Sequence, residues 1–423
     1  MKAPLSLALL VCVAVAVTGC PKKQAIIGPE PRVETDYDAP LPSGRLALRR
    51  ITDPRQIPDL TPACLKTEGL RQAIQYSLDY LAKPSSQARF PYGEITRDQA
   101  IVSLQAMLVL VNSGLSPSQM DEAIRQQFDV YISVGCDDKG TVLFTGYYTP
   151  IFQASASRTE KFKYPLYKAP PGLEKLPDGN PSKPLSDRKT IETSNMFAGN
   201  ELVWLADPFE AYVANVQGSA KLRMTDGTEL TVGYAANNGH EYNSIRAEMV
   251  TDGKIGKRDG LQAMIRYFRT HPEEVTLYTW RNPRFVFFAP IADGMPRGCL
   301  NEPVTVLRTI ATDKKIFPAA CLAFVNTKLP MRQDGAVADT DYSGFALDQD
   351  AGGAIRAAGR CDVYMGVGDE AGELAGRTQN EGKLYYLFLK PGALAAKAAS
   401  AAGPPAVPGK APGAAPAPAP GPR

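Results

Sequence analysis

Leu70, Ile74, Leu78 and Leu81 recur three and four residues apart, the spacing of one apolar helix face, and Pro84 closes the run. Thr96 with Gln99 predicts a capping box ahead of an apolar stretch from Ile101 to Val111. Ser116-Pro117-Ser118-Gln119 is a fuller start signal: an N-cap serine, proline at the first helical position and glutamine at the third. Ile124 and Phe128 continue that face. Near residue 129 the period shortens to two. Val130, Ile132 and Val134 alternate, and Val142-Leu143-Phe144 leads into Thr145-Gly146-Tyr147-Tyr148. Turn clusters follow at Pro177-Asp178-Gly179-Asn180, Asp226-Gly227 and Asn237-Asn238-Gly239. β-prone runs flank Asp226-Gly227, which predicts a hairpin. One helix interrupts, carried by Leu261, Met264, Ile265 and Phe268 and stopped by Pro272. Strands are predicted again at Arg284–Ala289, Val304–Ala311 and Leu384–Leu389. The pattern describes a mainly β (α+β) protein with N-terminal helices.

The two ends have a different texture. Residues 1–20 read MKAPLSLALLVCVAVAVTGC, with Lys2 ahead of an apolar run from Leu5 to Val17. Val17-Thr18-Gly19-Cys20 resembles a bacterial lipobox, which implies a lipoprotein signal peptide over 1–20 and a lipid-modified Cys20. An ordinary signal peptide with an incidental cysteine is the alternative. Acyl chains would hold Cys20 at a membrane, since each buried methylene contributes about 0.8 kcal/mol. Pro21 stands where an aspartate would resemble an inner-membrane retention signal. The expected location is therefore the periplasmic face of the outer membrane. Residues 21–44 read as a tether. Residues 393–423 carry no acid and no aromatic and are rich in alanine and proline, which predicts a disordered tail.

The 423 residues contain 47 Lys and Arg against 44 Asp and Glu, a formal charge of +3. Lys2, Lys397, Lys410 and Arg423 lie in the leader and tail. The body is then near neutral, which argues against a nucleic-acid partner held through phosphates. Only two histidines occur, His240 and His271, which excludes a multi-histidine metal centre. Of seven cysteines, Cys12 and Cys20 belong to the leader and the lipid site. Cys64, Cys136, Cys299, Cys321 and Cys361 remain, an odd number without CxxC spacing. Neither a metal nor an organic cofactor is expected.

The candidate chemistry lies in FALDQDAGGAIRAAGRCDVYMGVG, residues 345–368. Asp350 precedes Gly352-Gly353, where the backbone can turn closely. Asp362 sits within Cys361-Asp362-Val363-Tyr364, a strand-like alternation. Apolar neighbours can desolvate such a carboxylate and raise its pKa, as a general acid at neutral pH requires. Turn-capping is the structural alternative for both aspartates.

Asp350, Gly352-Gly353-Ala354-Ile355 and Asp362-Val363-Tyr364-Met365-Gly366 resemble the C-terminal motif of the MltA family of membrane-bound lytic murein transglycosylases. Arg308-Thr309-Ile310-Ala311-Thr312-Asp313 resembles a further block. Asp313, Asp350 and Asp362 thus resemble the three-aspartate set for which that domain is named. Upstream, Phe144–Pro150, Leu202–Trp204 with Asp207-Pro208, Val216–Ser219, Gly233–Ile245 and Asn282–Phe288 match in family order, over about residues 140–390. Departures are Ala351 for a frequent threonine, Ala357 for a usual glycine, and Phe317-Pro318-Ala319-Ala320 for a typical Ile-Pro-Leu-Gly turn.

The resemblance implies a double-psi β-barrel from residues 45–149 and 283–392, with a glycan-binding β-domain inserted at 150–282. It implies a lytic exotransglycosylase cleaving the β-1,4 bond between N-acetylmuramic acid and N-acetylglucosamine, with 1,6-anhydromuramyl ends as product. Asp362 would be the single acid/base. Asp350 would orient the loop or stabilise developing positive charge, and Asp313 would be structural. Thr145, Tyr147, Tyr148, Trp204, Gln217, Asn238 and Tyr242 are the candidate substrate contacts. Partners would be peptidoglycan strands, a membrane through the lipid anchor, and cell-wall enzyme complexes. A hydrolase on the same fold and a non-catalytic peptidoglycan-binding lipoprotein are the alternatives.

Overall fold

A computed structural model describes residues 35–176, 180–257 and 259–393. The leader, Cys20, most of the tether, Pro177-Asp178-Gly179 and the tail beyond Ala393 lie outside the described residues.

Strands β1 (Leu48–Arg50), β2 (Phe128–Ser133) and β3 (Val142–Thr149) come first. A second set follows: β4 (Ile151–Ser155), β5 (Tyr164–Tyr167), β6 (Glu201–Leu205), β7 (Ser219–Met224), β8 (Glu229–Asn237) and β9 (Val286–Pro290). The last set is β10 (Thr309–Ala311), β11 (Leu322–Gln333), β12 (Ala336–Asp350), β13 (Arg360–Val367) and β14 (Gln379–Leu389). Strand order in the first sheet is β1-β2-β14-β11-β12-β10-β13-β3, and β14 also pairs with β3. That pairing closes six strands into a barrel and removes their free edges. The second sheet has order β5-β6-β4-β7-β8-β9. The expected mainly β class, with a barrel and a second β-domain, is the observed one.

Strand parity explains which side chains enter the barrel. On β3, Val142, Phe144 and Tyr148 are buried in its core; on β13, Cys361, Val363 and Met365 are. The alternate residues, Thr145 and Tyr147 with Arg360, Asp362 and Tyr364, take the other face. The N-terminal helices Leu70–Ala82, Arg97–Val111 and Pro117–Gln127 add Leu70, Ile74, Leu104, Met107 and Ile124 to the same core.

The predicted helix starts are largely as read. Ser116 and Gln119 form a reciprocal capping box with Pro117 at the first position. Thr96 accepts from Gln99 N, but the Gln99 amide donates to Leu389 O, 3.1 Å away, and thereby ties the helix to β14. Asp226-Gly227 makes the β7–β8 turn, with Asp226 Oδ1 accepting from Thr228 N at 2.9 Å.

Other expectations change. Val304–Ala311 is strand only at Thr309–Ala311, because Thr305 O accepts from Arg308 and Thr309 N in a turn. Val286–Pro290 pairs with β8, so the second sheet runs past the boundary expected at 282. The tether expected to reach residue 44 ends sooner: Tyr37 donates to Glu381 Oε1 at 2.6 Å and Asp38 pairs with Arg360. The helix Pro208–Gln217 was not predicted, although Asp207 caps it, Pro208 occupies its first turn and Gly218 ends it at φ 73°. The helix Gly368–Arg377 also goes beyond the sequence reading. All five described cysteines are free thiols.

Two alanines adopt the left-handed conformation, Ala320 at φ 63° and Ala357 at φ 64°. They stand where the family resemblance has glycine. A side chain there costs about 1–2 kcal/mol, and glycine's extra chain entropy offsets part of any relief. Ala357→Gly should therefore raise stability by roughly 0.5 kcal/mol, while Ala357→Val should lose more than about 1 kcal/mol. Urea unfolding of the two variants checks the sign of each.

Candidate active site

The short strand β10 sets the spacing of the acids. Ala311 pairs with Asp350 on one side and Asp362 on the other. Two strand spacings separate the acids, about 10 Å between their Cα atoms. The β10–β12 register shifts between Ile310 and Ala311, so Gln349 is the extra residue. Such a bulge re-aims neighbouring side chains. Asp348 turns into the interior and Asp350 stays partly open.

Asp350 is well supplied with donors. Tyr147 Oη donates to its Oδ2 at 2.8 Å, and the amides of Cys299 and Ala351 donate to its Oδ1 at 2.8 Å each. The Cys299 amide reaches it because Gly298 lies against the strand: a Cβ there would sit 2.7 Å from Gln349 O and 3.0 Å from Asp350 Cγ. Burial pushes the Asp350 carboxyl above its ordinary pKa, and these donors oppose the shift.

Asp362 has the opposite environment. It faces Thr145 across the parallel β13–β3 pair, and Tyr364 faces Tyr147. The two tyrosine rings lie 5.2 Å apart. The Asp362 Oδ1 is buried and has no hydrogen-bond partner. Desolvation is the main cause that raises its pKa to about 7; nearby Asp350 adds to the rise, while Arg360 and Thr145 oppose it. The two acids thus differ in kind. Burial raises the Asp350 pKa against three opposing donors, whereas burial raises that of Asp362 to about 7, near neutral pH.

Asp313 is a turn residue. It accepts from Lys315 N at 3.0 Å and from Ala357 N at 3.3 Å, which ties the left-handed turn after Ile355 to the end of β10. Below Asp350 lies a polar network that sequence reasoning missed. Buried Asp348 accepts from Thr312 Oγ1 at 2.8 Å and Tyr386 Oη at 2.7 Å, and pairs with Lys314. Lys314 also donates to the Asp350 carbonyl. Alternation would place Asp348 and Asp350 on one face, and only the bulge separates them. Gly298 and Cys299 gave no local signal, being some fifty residues from Asp350.

The expected substrate contacts divide. Thr145 and Tyr147 flank the acids. Tyr242 adjoins the loop after Asp350, since a Cβ on Gly353 would lie 3.5 Å from its Cβ. Gln217 accepts from Tyr148 N at 3.1 Å and keeps its amide nitrogen for other partners. With Tyr242 and Arg246 it lines a cavity of about 40 Å³. Trp204 is half-buried on β6, paired with Ser155. Two residues have other places. Tyr148 is a core side chain, packed under Gly372. Asn238 is fully buried, donates to Ser186 O and Pro283 O, and accepts from Phe285 N, so its amide is used up within the fold.

Residues 143–289 match the family model described as the MltA specific insert domain, and residues 308–388 match that of the 3D domain. Membrane-bound lytic murein transglycosylase A of Escherichia coli K12 is 32% identical over 271 residues, 63% of this chain and 70% of that relative. The chain belongs to the MltA family. The crystal structure of a membrane-bound lytic murein transglycosylase from Agrobacterium tumefaciens is similar at TM-score 0.67 and 25% identity, covering 83% of this chain and 99% of that one. The structure of Escherichia coli MltA with bound chitohexaose shares the fold at TM-score 0.61 and 24% identity, covering 85% and 97%.

Tyr147→Phe removes one of the donors that oppose the rise of the Asp350 pKa. The Asp350 carboxyl should then titrate higher than in the parent, read from its side-chain carbon shift by NMR across pH.

Proposed function

We propose that this member of the MltA family is a lytic transglycosylase of peptidoglycan glycan strands, with Asp362 as its single acid/base. The observation that carries the assignment is the contrast in donors: Asp350 accepts three hydrogen bonds, while Oδ1 of Asp362 accepts none.

Asp362 enters the reaction protonated. It gives its proton to the glycosidic oxygen between N-acetylmuramic acid and N-acetylglucosamine as the bond to the anomeric carbon breaks. The N-acetylglucosamine residue leaves with that proton as its hydroxyl. Asp362, now a carboxylate, takes the proton from the muramyl C6 hydroxyl as that oxygen bonds to the anomeric carbon. The product is a 1,6-anhydromuramyl end, Asp362 is again protonated, and no water is consumed. The attacking hydroxyl belongs to the same sugar, so it needs no separate orientation of a second reactant. Asp350, held by its donors, supplies negative charge toward the positive charge that develops at the anomeric carbon.

The pH dependence follows from Asp362. Burial raises its pKa to about 7, so the proton-bearing form dominates below neutrality and is lost above it. The rate should fall on the alkaline side with a midpoint near 7. Asp362→Asn is nearly isosteric but has no acidic proton. It should lower turnover of purified sacculi by about a thousandfold or more while glycan binding persists. Mass analysis of the soluble muropeptides identifies the reaction. Anhydromuramyl ends are the expected product; reducing muramic acid ends would mean hydrolysis instead, and near-parental activity of the variant would remove Asp362 from its role.

The relatives bear the name membrane-bound. For this chain the reading is a lipid anchor on Cys20 at the periplasmic face of the outer membrane, supported by Val17-Thr18-Gly19-Cys20. Cys20→Ala should move the protein from the membrane to the soluble fraction or stop its maturation. Equal fractionation of variant and parent would reject the anchor.

A further inference from the structure

Among the described residues, two buried side-chain polar atoms lack any hydrogen-bond partner: Oδ1 of Asp362 and Nε of Arg360. An unmet buried polar group costs about 1–3 kcal/mol, and more when charged. Folded chains keep few of them, so their placement is informative. These two stand two residues apart on the same face of β13, while Cys361 between them points into the barrel core. One is an acceptor and the other a donor.

The rest of the Arg360 side chain is largely covered, at 17% exposure, and its Nη1 lies 3.6 Å from Asp38 Oδ2. That pair ends on an exposed carboxylate and leaves the Nε–H without a partner in the fold. Tyr242 and Arg246 lie within electrostatic range of the guanidinium. Arg246 commits two of its nitrogens, Nε and Nη2, to Asp259 O and Lys257 O.

We propose that Arg360 is a substrate-binding residue of this site, its Nε–H donating to a sugar hydroxyl that in turn donates to Asp362. The reading rests on the transglycosylase assignment for the identity of the sugar. A hydroxyl seated between the two atoms would satisfy both, accepting from Arg360 and donating to Oδ1. The reaction contains such a group: the muramyl C6 hydroxyl, which must surrender its proton to the Asp362 carboxylate. Shielding from bulk water strengthens both bonds. The guanidinium has a second effect through charge. The groups facing Asp362 are Arg360 on its own strand, Asp350 across β10, Tyr147 on β3 and the Cys361 thiol beneath. Arg360 is the cation among them and favours the ionised carboxyl.

Three variants separate these roles, with kinetics on soluble glycan strands and chitohexaose binding by calorimetry. Arg360→Met should weaken chitohexaose binding and raise KM, each about tenfold. It should also move the alkaline limb of the rate to higher pH, because loss of the cation raises the Asp362 pKa. Arg360→Lys should keep the limb in place but still raise KM, since the charge remains without the Nε–H. Asp38→Asn, which breaks only the exposed pair, should leave binding and limb within twofold of the parent. Parental binding and an unmoved limb in Arg360→Met would overturn the proposal. So would Asp38→Asn reproducing the whole loss, since the arginine would then act only through its ion pair. A parent enzyme that releases no anhydromuropeptide would defeat the transglycosylase reading instead, and chitohexaose binding would still decide the role of Arg360.

Discussion

A buried carboxyl with one oxygen left without a donor is the constraint on which the site depends. Asp362 lies on a barrel strand whose inward neighbours, Cys361 and Val363, are fully buried, so its backbone has no freedom to carry the side chain toward solvent. Its strand partner Thr145 offers one short hydroxyl. Desolvation therefore dominates over every local attraction and holds the proton on the carboxyl near neutral pH. Burial raises the Asp350 pKa too, but there Tyr147 and two main-chain amides oppose the shift. The two acids are both buried and differ in where donors are placed around them.

Placing those donors takes several distant pieces of chain. The bulge in β12 sends Asp348 inward and Asp350 outward. Lys314 then joins the Asp348 carboxylate to the Asp350 carbonyl, so a buried ion pair grips the main chain at the acid. A pair like this contributes little net stability, because desolvation offsets its attraction, but breaking it is costly. Asp313 holds the other end of the same loop through Ala357 N. The loop between the acids is fixed at both ends, and Gly353 in its middle touches Arg284 and Tyr242 of the second β-domain. The barrel and the inserted sheet are therefore coupled through the segment that carries the chemistry.

Much of this was legible in the chain. The capping box at Ser116 and the Asp226-Gly227 turn carry local signals, and the structure uses both. The acids were found through their Gly-rich surroundings and the resemblance those residues carry. The burial of Tyr148 was legible too: it shares strand parity with Val142 and Phe144, and an apolar pair on one face assigns that face to the core. The place of Asn238 was not legible in its own segment. Asn-Asn-Gly marks a turn from sequence, but only the fold shows that Ser186, Pro283 and Phe285 converge on its amide. The bulge at Gln349 and the approach of Gly298 had no signal within their own segments, since each depends on pairing between strands distant in sequence.

Arg360 belongs to that last group, and it shows what a ledger of satisfied groups adds to motif reading. From sequence it is one more arginine beside a turn. In the fold its ion pair with Asp38 is long and exposed on one side, so it contributes little to stability. A buried Nε–H without a partner is then a net cost to the apo protein. Two such costs, one donor and one acceptor, on neighbouring positions of one strand face are hard to explain by packing alone. Thr145 bonds to the Asp362 carboxyl but leaves Oδ1 unpartnered, and Tyr147 bonds to Asp350 instead. The fold thus withholds bonds at the point where a substrate brings its own.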